Sequence, residues 1–170
     1  MRRYIALLMS AVLVGIDQIL KILAIEHLKP AGSCPIIPDI FHFTYVENRG
    51  AAFGMMAGQK WLLIWVTAIV ILAAVVVIVT GKIKNTTVLF AVTTIIGGGV
   101  GNLIDRVRVG YVVDMFHFEF WPSYPVFNVA DMCIVCGAIL GAIYYLWIYE
   151  KYDAKPKKGA SDGDSDTPTE

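Results

Sequence analysis

The chain has 170 residues, 57% of them hydrophobic and 16% charged, with a mean hydropathy of +0.65. That is more apolar surface than a water-soluble domain of this length can bury, so the chain is expected to live in lipid. The formal net charge of +0 conceals a segmented pattern, with charge gathered in the first three residues, the connecting loops and the C-terminal stretch; with no basic domain, zinc-type spacing or aromatic nucleic-acid motif, nucleic-acid binding has no support.

A hydrocarbon core about 30 Å thick takes roughly 20 apolar residues of helix. The stretches 4–25, 61–80, 86–104 and 129–149 meet that length and predict four transmembrane helices. Met1-Arg2-Arg3 before an apolar run looks like a secretory signal, and Ala31-Gly32-Ser33-Cys34 like a lipoprotein cleavage box. However, Asp17 and Lys21 interrupt the run, and Glu26, His27 and Lys29 separate it from Cys34, so an uncleaved first span is the better reading. Arg2 and Arg3 precede span one, Lys82 and Lys84 fill the second connection, and Lys151, Lys155, Lys157 and Lys158 follow span four. By the positive-inside rule both termini lie in the cytoplasm, and the loops 26–60 and 105–128 face outward. Trp61, Trp65, Trp121, Tyr124, Trp147 and Tyr149 fall near span ends, where amphipathic rings favour the headgroup region.

Charged groups inside spans are expensive, and Asp17 and Lys21 stand four apart on one helix face. They read as a pair supporting a site, with direct substrate contact as the alternative. In the first outer loop, Ile40, His42, Thr44 and Val46 alternate with Phe41, Phe43 and Tyr45, which predicts a strand. It runs into Glu47-Asn48-Arg49-Gly50-Ala51-Ala52-Phe53-Gly54, either a peptide-docking edge or an ordinary turn before an interfacial helix. Span three ends in Gly97-Gly98-Gly99-Val100-Gly101-Asn102, a small-residue run for close packing. Asn102, an amide near a helix end in lipid, should have a specific partner. Arg106 complements the helix C-terminus or grips substrate, whereas Asp105 opposes the helix dipole there.

The second outer loop, around Tyr111-Val112-Val113-Asp114-Met115-Phe116-His117-Phe118, is too short and charged to span and reads as a half-buried strand or interfacial helix. Asn128 and Asp131, three apart, have the form of a helix N-terminal capping box. Asp114 nevertheless lies on the same side of the membrane as Asp131. Two carboxyl groups brought within a few ångströms share a proton, leaving one base to activate water and one acid to protonate a peptide group. No other catalytic constellation competes, because His27, His42 and His117 are scattered, and Cys133 and Cys136 read as small apolar packing residues. Residues 153–170 lack apolar periodicity and should form a disordered cytoplasmic tail after a membrane domain of residues 1–152.

Four blocks carry a likeness to a known family. They are Asp17-Gln18-Ile19-Leu20-Lys21; Glu47 to Gly54; Gly101-Asn102-Leu103-Ile104-Asp105-Arg106 leading to Gly110-Tyr111-Val112-Val113-Asp114; and Phe127-Asn128-Val129-Ala130-Asp131. In this order on the same side of four spans, they resemble the lipoprotein signal peptidase family, signal peptidase II. The resemblance implies an aspartyl endopeptidase of the bacterial cytoplasmic membrane, a monomer with its site on the extracytoplasmic side. It would cleave the signal peptide from prolipoproteins just before an S-diacylglyceryl cysteine, whose acyl chains stay in membrane lipid, without metal or organic cofactor. Asp114 and Asp131 would be catalytic, Asn48, Gly50, Asn102, Arg106 and Asn128 would shape the substrate site, and Asp17 and Lys21 would support it. The oxyanion would be met by the protonated carboxyl and by Asn128 or a backbone amide. The implied fold is a membrane all-α bundle of four helices with a small extracytoplasmic β-cradle and a short interfacial helix.

Other classes have weaker claims. A proton-coupled transporter needs ionisable groups spread through the membrane depth, whereas here they concentrate toward the outer face. A scaffold subunit would have an Asp114 and an Asp131 that never meet. A presenilin-like protease needs Tyr-Asp and Gly-x-Gly-Asp motifs, which are absent from the spans.

Overall fold

The computed structural model describes residues 1–51 and 55–153. Part of the Glu47-to-Gly54 block, residues 52–54, and nearly all of the expected tail lie outside the described residues. The elements are helices α1 (Arg2–Leu23), α2 (Lys60–Val79), α3 (Thr86–Arg108) and α4 (Val129–Ile143), and strands β1 (Ser33–Ile37), β2 (Phe41–Asn48) and β3 (Val112–Phe118). Among the described residues four helices are long and apolar enough to cross a membrane, as predicted, the fourth being α4 with its π-helical continuation as far as Trp147. Helix α1 continues past its expected end through a wider π-type turn, Ala24–Leu28, to Ala31. Gly32 then breaks it at φ 76°, in the left-handed region that favours glycine.

Helix α3 is the centre of the bundle: half of its most apolar stretch is buried, against about a tenth for α2. It packs on α1 and α2 and most extensively on α4. The small-residue run makes this possible, since a Cβ at Gly98 would collide with the Ala130 carbonyl and the Ile134 side chain. On the α4 side, a Cβ at Gly137 would lie 2.7 Å from the Ala91 carbonyl oxygen. Backbone-to-backbone approach of this kind gives helices cohesion in lipid, where no hydrophobic effect drives them together. By contrast, Trp65, Ile69 and Leu72 on α2 are exposed and form a surface suited to acyl chains.

One end of the bundle is basic. Arg2 Nη1 donates to Thr86 Oγ1 at 3.0 Å and Arg3 Nη1 to the Val79 carbonyl at 2.7 Å, which places the N-terminus beside the connection that carries Lys82 and Lys84. The sheet sits at the other end, antiparallel in the order β1-β2-β3, with Val113 and Met115 packed against Ala24 of the α1 continuation. Strand β1 was not expected, and residues 112–118 form a strand rather than an interfacial helix. Between Asn48 and Lys60 no helix occurs among the described residues, where 55–58 form turns. Of the expected headgroup anchors, Trp61, Trp65, Trp121, Trp147 and Tyr149 are exposed, but Tyr124 turns inward against Phe118 and Phe127. Cys133 is buried as a packing residue, whereas Cys136 is exposed.

Strand β2 departs from simple alternation. Phe43 pairs with Phe116, but Val46 pairs with Asp114, so two residues of β2 oppose the single Met115. This bulge switches the parity of the strand. Phe41 and Phe43 before it, and Val46 and Asn48 after it, therefore share the face of β3 that carries Asp114.

Candidate active site

Strand β3 delivers Asp114 and the first turn of α4 delivers Asp131. They meet because Phe116 and Phe127 exchange both backbone hydrogen bonds, at 2.8 and 3.0 Å, laying the approach to α4 along β3. The next residue, Asn128, is fully buried and lands beside Asp114. Its side-chain NH2 donates to Asp114 Oδ1 at 2.6 Å, to Asn102 Oδ1 at 3.2 Å and to the Val113 carbonyl at 3.3 Å. Its Oδ1 accepts the Asp131 N–H at 2.9 Å, while Asp131 Oδ2 accepts the Asn128 N–H at 3.2 Å. The capping box and the paired-carboxyl arrangement are thus one structure: a single residue bonds both aspartates.

Asn102 closes the other side. Its NH2 donates to Asp131 Oδ1 at 2.8 Å, and its Oδ1 accepts from Lys21 Nζ at 2.9 Å. An ammonium can only donate, so Lys21 fixes which way this amide points. Asn48, aimed by the bulge, donates to Asp114 Oδ2 at 3.1 Å and accepts the Gly50 N–H at 3.0 Å. Arg106 grips the same turn, donating to the Gly50 carbonyl at 2.8 Å.

Beneath lies a charge cluster built from α1 and α3. Lys21, 1% exposed, pairs with Asp17 at 2.9 Å and with Asp105 at 2.8 Å. Asp17 Oδ1 accepts the Ala130 N–H at 2.9 Å and Asp105 Oδ2 the Val113 N–H at 3.1 Å, so the cluster clamps the backbones that carry both aspartates. Every residue named for the site from the sequence joins this network. Missing from that set were Asp105 and Gln18, whose amide donates to Asp105 Oδ1 at 3.0 Å and to the Gly101 carbonyl at 3.1 Å. The signal for Asp105 was present, in a carboxylate standing against the dipole of its own helix.

A cavity of about 340 Å³ opens onto this network, with Asn48, Asn102, Arg106 and Asp131 at its polar end and Leu63, Ile134 and Val135 along its wall. Asp114 is 1% exposed, and burial, followed by the neighbouring Asp131 charge, pushes its pKa up to about 7. All four aspartate oxygens accept N–H bonds. At Asp114 the bonds from Asn48 and Asn128 favour the ionised form and so oppose the burial that raises its pKa. The described His and Glu side chains that cluster, His42, His117 and Glu119, do so elsewhere on the sheet.

Residues 9–147 match the family model described as Signal peptidase (SPase) II. A lipoprotein signal peptidase of Halothermothrix orenii is 47% identical over 141 residues, covering 82% of this chain and 93% of the relative. One of Caldanaerobacter subterraneus is 46% identical over 148 residues, covering 85% and 97% respectively. Two solved bacterial membrane enzymes superpose with TM-scores of 0.79 and 0.75 at 28% and 30% identity, covering 89% and 84% of this chain and 93% of each structure. With its four apolar helices and an aspartate pair held by one asparagine, the chain belongs to the signal peptidase II family.

Proposed function

We propose that Asp114 and Asp131 are the catalytic pair of this protease, which removes signal peptides from prolipoproteins, and that they divide the acid and base roles between them. What carries the assignment is that Asn128 hydrogen-bonds both aspartates, one of which, Asp131, stands at the polar end of a cavity with apolar walls. Asp131 lines that cavity and is the group that meets water; Asp114 is buried behind it, and with its pKa raised to about 7 it is the carboxyl that keeps a proton into the neutral range, half protonated at pH 7 and more fully below.

Water adds to the scissile carbonyl as Asp131 takes its proton, and the Asp114 proton supports the developing oxyanion. The C–N bond then breaks, Asp131 hands its proton to the leaving amine, and Asp114 keeps its own as the carboxylic acid product forms. The Asn128 NH2 is already committed to Asp114, Asn102 and Val113, so Arg106 at the cavity edge is the better second oxyanion partner. A well-placed donor of this kind contributes about 2.7–4 kcal/mol. Asn48 and Gly50 form the substrate-binding turn, and Asp17 and Lys21 hold the frame.

In the cytoplasmic membrane the basic end of the bundle faces inward and the sheet forms a cradle on the extracytoplasmic side, following the positive-inside rule. The apolar wall of Leu63, Ile134 and Val135 receives the apolar part of the signal peptide, and the acyl chains of a diacylglyceryl cysteine remain in lipid. The chain acts as a monomer, and residues 153–170 are a dispensable tail. A transporter is disfavoured because Asp17, Lys21, Asp105, Asp114 and Asp131 gather at one end of the helices.

The pH profile tests the division of roles. Asp114 is raised to about 7, so its acid form dominates below that pH and is lost above it. The value of kcat/KM for a purified diacylglyceryl prolipoprotein should bend near pH 7 and fall roughly tenfold per unit on the alkaline side. A rate that stays flat through pH 9 removes Asp114 as the resting acid.

A further inference from the structure

The sheet brings together three side chains that the catalytic network does not use. His42 on β2 and His117 on β3 are direct cross-strand partners, and their rings stand 6.3 Å apart. They lie on the face opposite Asp114, at the end of the strands away from α3. Glu119 follows on the same side of the chain, and its N–H donates to the Ile40 carbonyl at 3.0 Å, so it is held by the continuing ladder. Glu119 Oε2 lies 3.4 Å from His42 Nδ1 and 3.5 Å from His117 Nδ1, and one ligand atom from each of the three residues falls within 4.8 Å of the others.

Those distances have a chemical meaning. Ligand bonds of about 2.0–2.2 Å in a tetrahedral zinc shell put neighbouring donor atoms about 3.4 Å apart. The two Glu119 contacts already match that spacing, and closing the His–His edge asks only for side-chain rotation on a rigid backbone. We propose that His42, His117 and Glu119 form a zinc-binding site in which water completes the coordination. Two imidazoles and one carboxylate suit a borderline divalent ion and not calcium or magnesium. The side chains are 20%, 24% and 44% exposed, so an ion can enter from solvent.

One neighbour and one ligand's own far nitrogen set the strength. The Thr44 hydroxyl, 3.4 Å from His117 Nδ1, must turn aside when that nitrogen takes the metal. His42 Nε2 is buried without a hydrogen-bond partner. Among the described residues that nitrogen has no acceptor for an N–H, while Nδ1 is the one that faces Glu119. Binding through Nδ1 then leaves the Nε2 proton without the acceptor that tight sites provide, an omission that typically costs about tenfold to a hundredfold in affinity. The site should hold zinc in the micromolar range and staple β2 to β3.

The test uses the full-length protein without an affinity tag, in detergent, with the exposed Cys34 replaced by serine. Zinc is titrated against a chromophoric chelator. One equivalent should bind, Glu119→Gln and His117→Gln should each weaken binding about tenfold or more, and saturating zinc should raise the melting temperature only when the triad is intact. Copper(II) bound to the triad-intact protein, read by electron paramagnetic resonance, should show two nitrogen ligands. Binding that requires Cys34, an affinity that His117→Gln leaves unchanged, or a copper spectrum with fewer than two nitrogens overturns the site. None of these readouts depends on proteolysis.

Discussion

Replacing Asp114 or Asp131 by asparagine lowers cleavage of a purified diacylglyceryl-modified prolipoprotein at least about a hundredfold, the usual worth of general acid or base assistance. The two variants should differ in their side effects. Asp131 accepts one N–H on each oxygen, from Asn102 and from the Asn128 backbone. An asparagine there keeps one of these bonds and turns an NH2 toward the other donor. Asp114 faces amide groups from Asn48 and Asn128 in a site with 1% exposure, where the same mismatch is sealed away from water. Asp114→Asn should therefore also lose about 1–3 kcal/mol of stability, the cost of an unsatisfied buried donor. Thermal unfolding in detergent beside a cleavage time course separates the two effects. Near-normal cleavage by a folded variant would take that residue out of the mechanism.

Lys21→Met should destabilise the bundle by about 3–5 kcal/mol, because it leaves the Asp17 and Asp105 carboxylates buried without their cation. The ammonium directs its three N–H bonds at Asp17, Asp105 and Asn102, so the loss is not confined to one ion pair. Asn102 is then free to flip, presenting its oxygen to Asp131, and cleavage should fall further than stability alone explains. Pairing Lys21→Met with Asp17→Asn removes one orphaned charge and should recover part of the stability but not the rate. A single variant that unfolds within about 1 kcal/mol of the parent would show that the cluster carries little of the fold.

The spans were legible because a bilayer imposes a length and forbids unpaired polar groups, constraints that leave marks in hydropathy alone. The polar residues of the site were legible in part for the same reason: Asp17, Lys21 and Asn102 are costly in lipid and so invite explanation. Asp114 was not costly where it stood, and Asn128 with Asp131 looked like a helix cap, which they are. Only the order of the motif blocks tied them to one chemistry. Strand β1 left no trace, since Ser33–Ile37 is exposed throughout and contains Pro35, which suits an edge. His42 and His117 looked scattered because register, unlike periodicity, is a property of two strands together. Asp105 could be seen to be out of place, but not that Lys21 from α1 would answer it.

The extra residue in β2 makes that strand a counting device. Its aromatic half is fixed by Phe41 and Phe43 opposite Phe118 and Phe116, and its polar half by Asn48 reaching Asp114. Lengthen the segment by one more at Thr44 or Tyr45, with the bulge still absorbing a single residue, and only one half can keep its side of the sheet: the phenyl rings stay seated and Asn48 swings away, or Asn48 stays and the rings face water. Even an insertion that leaves every named site residue in the chain would sever substrate turn from acid.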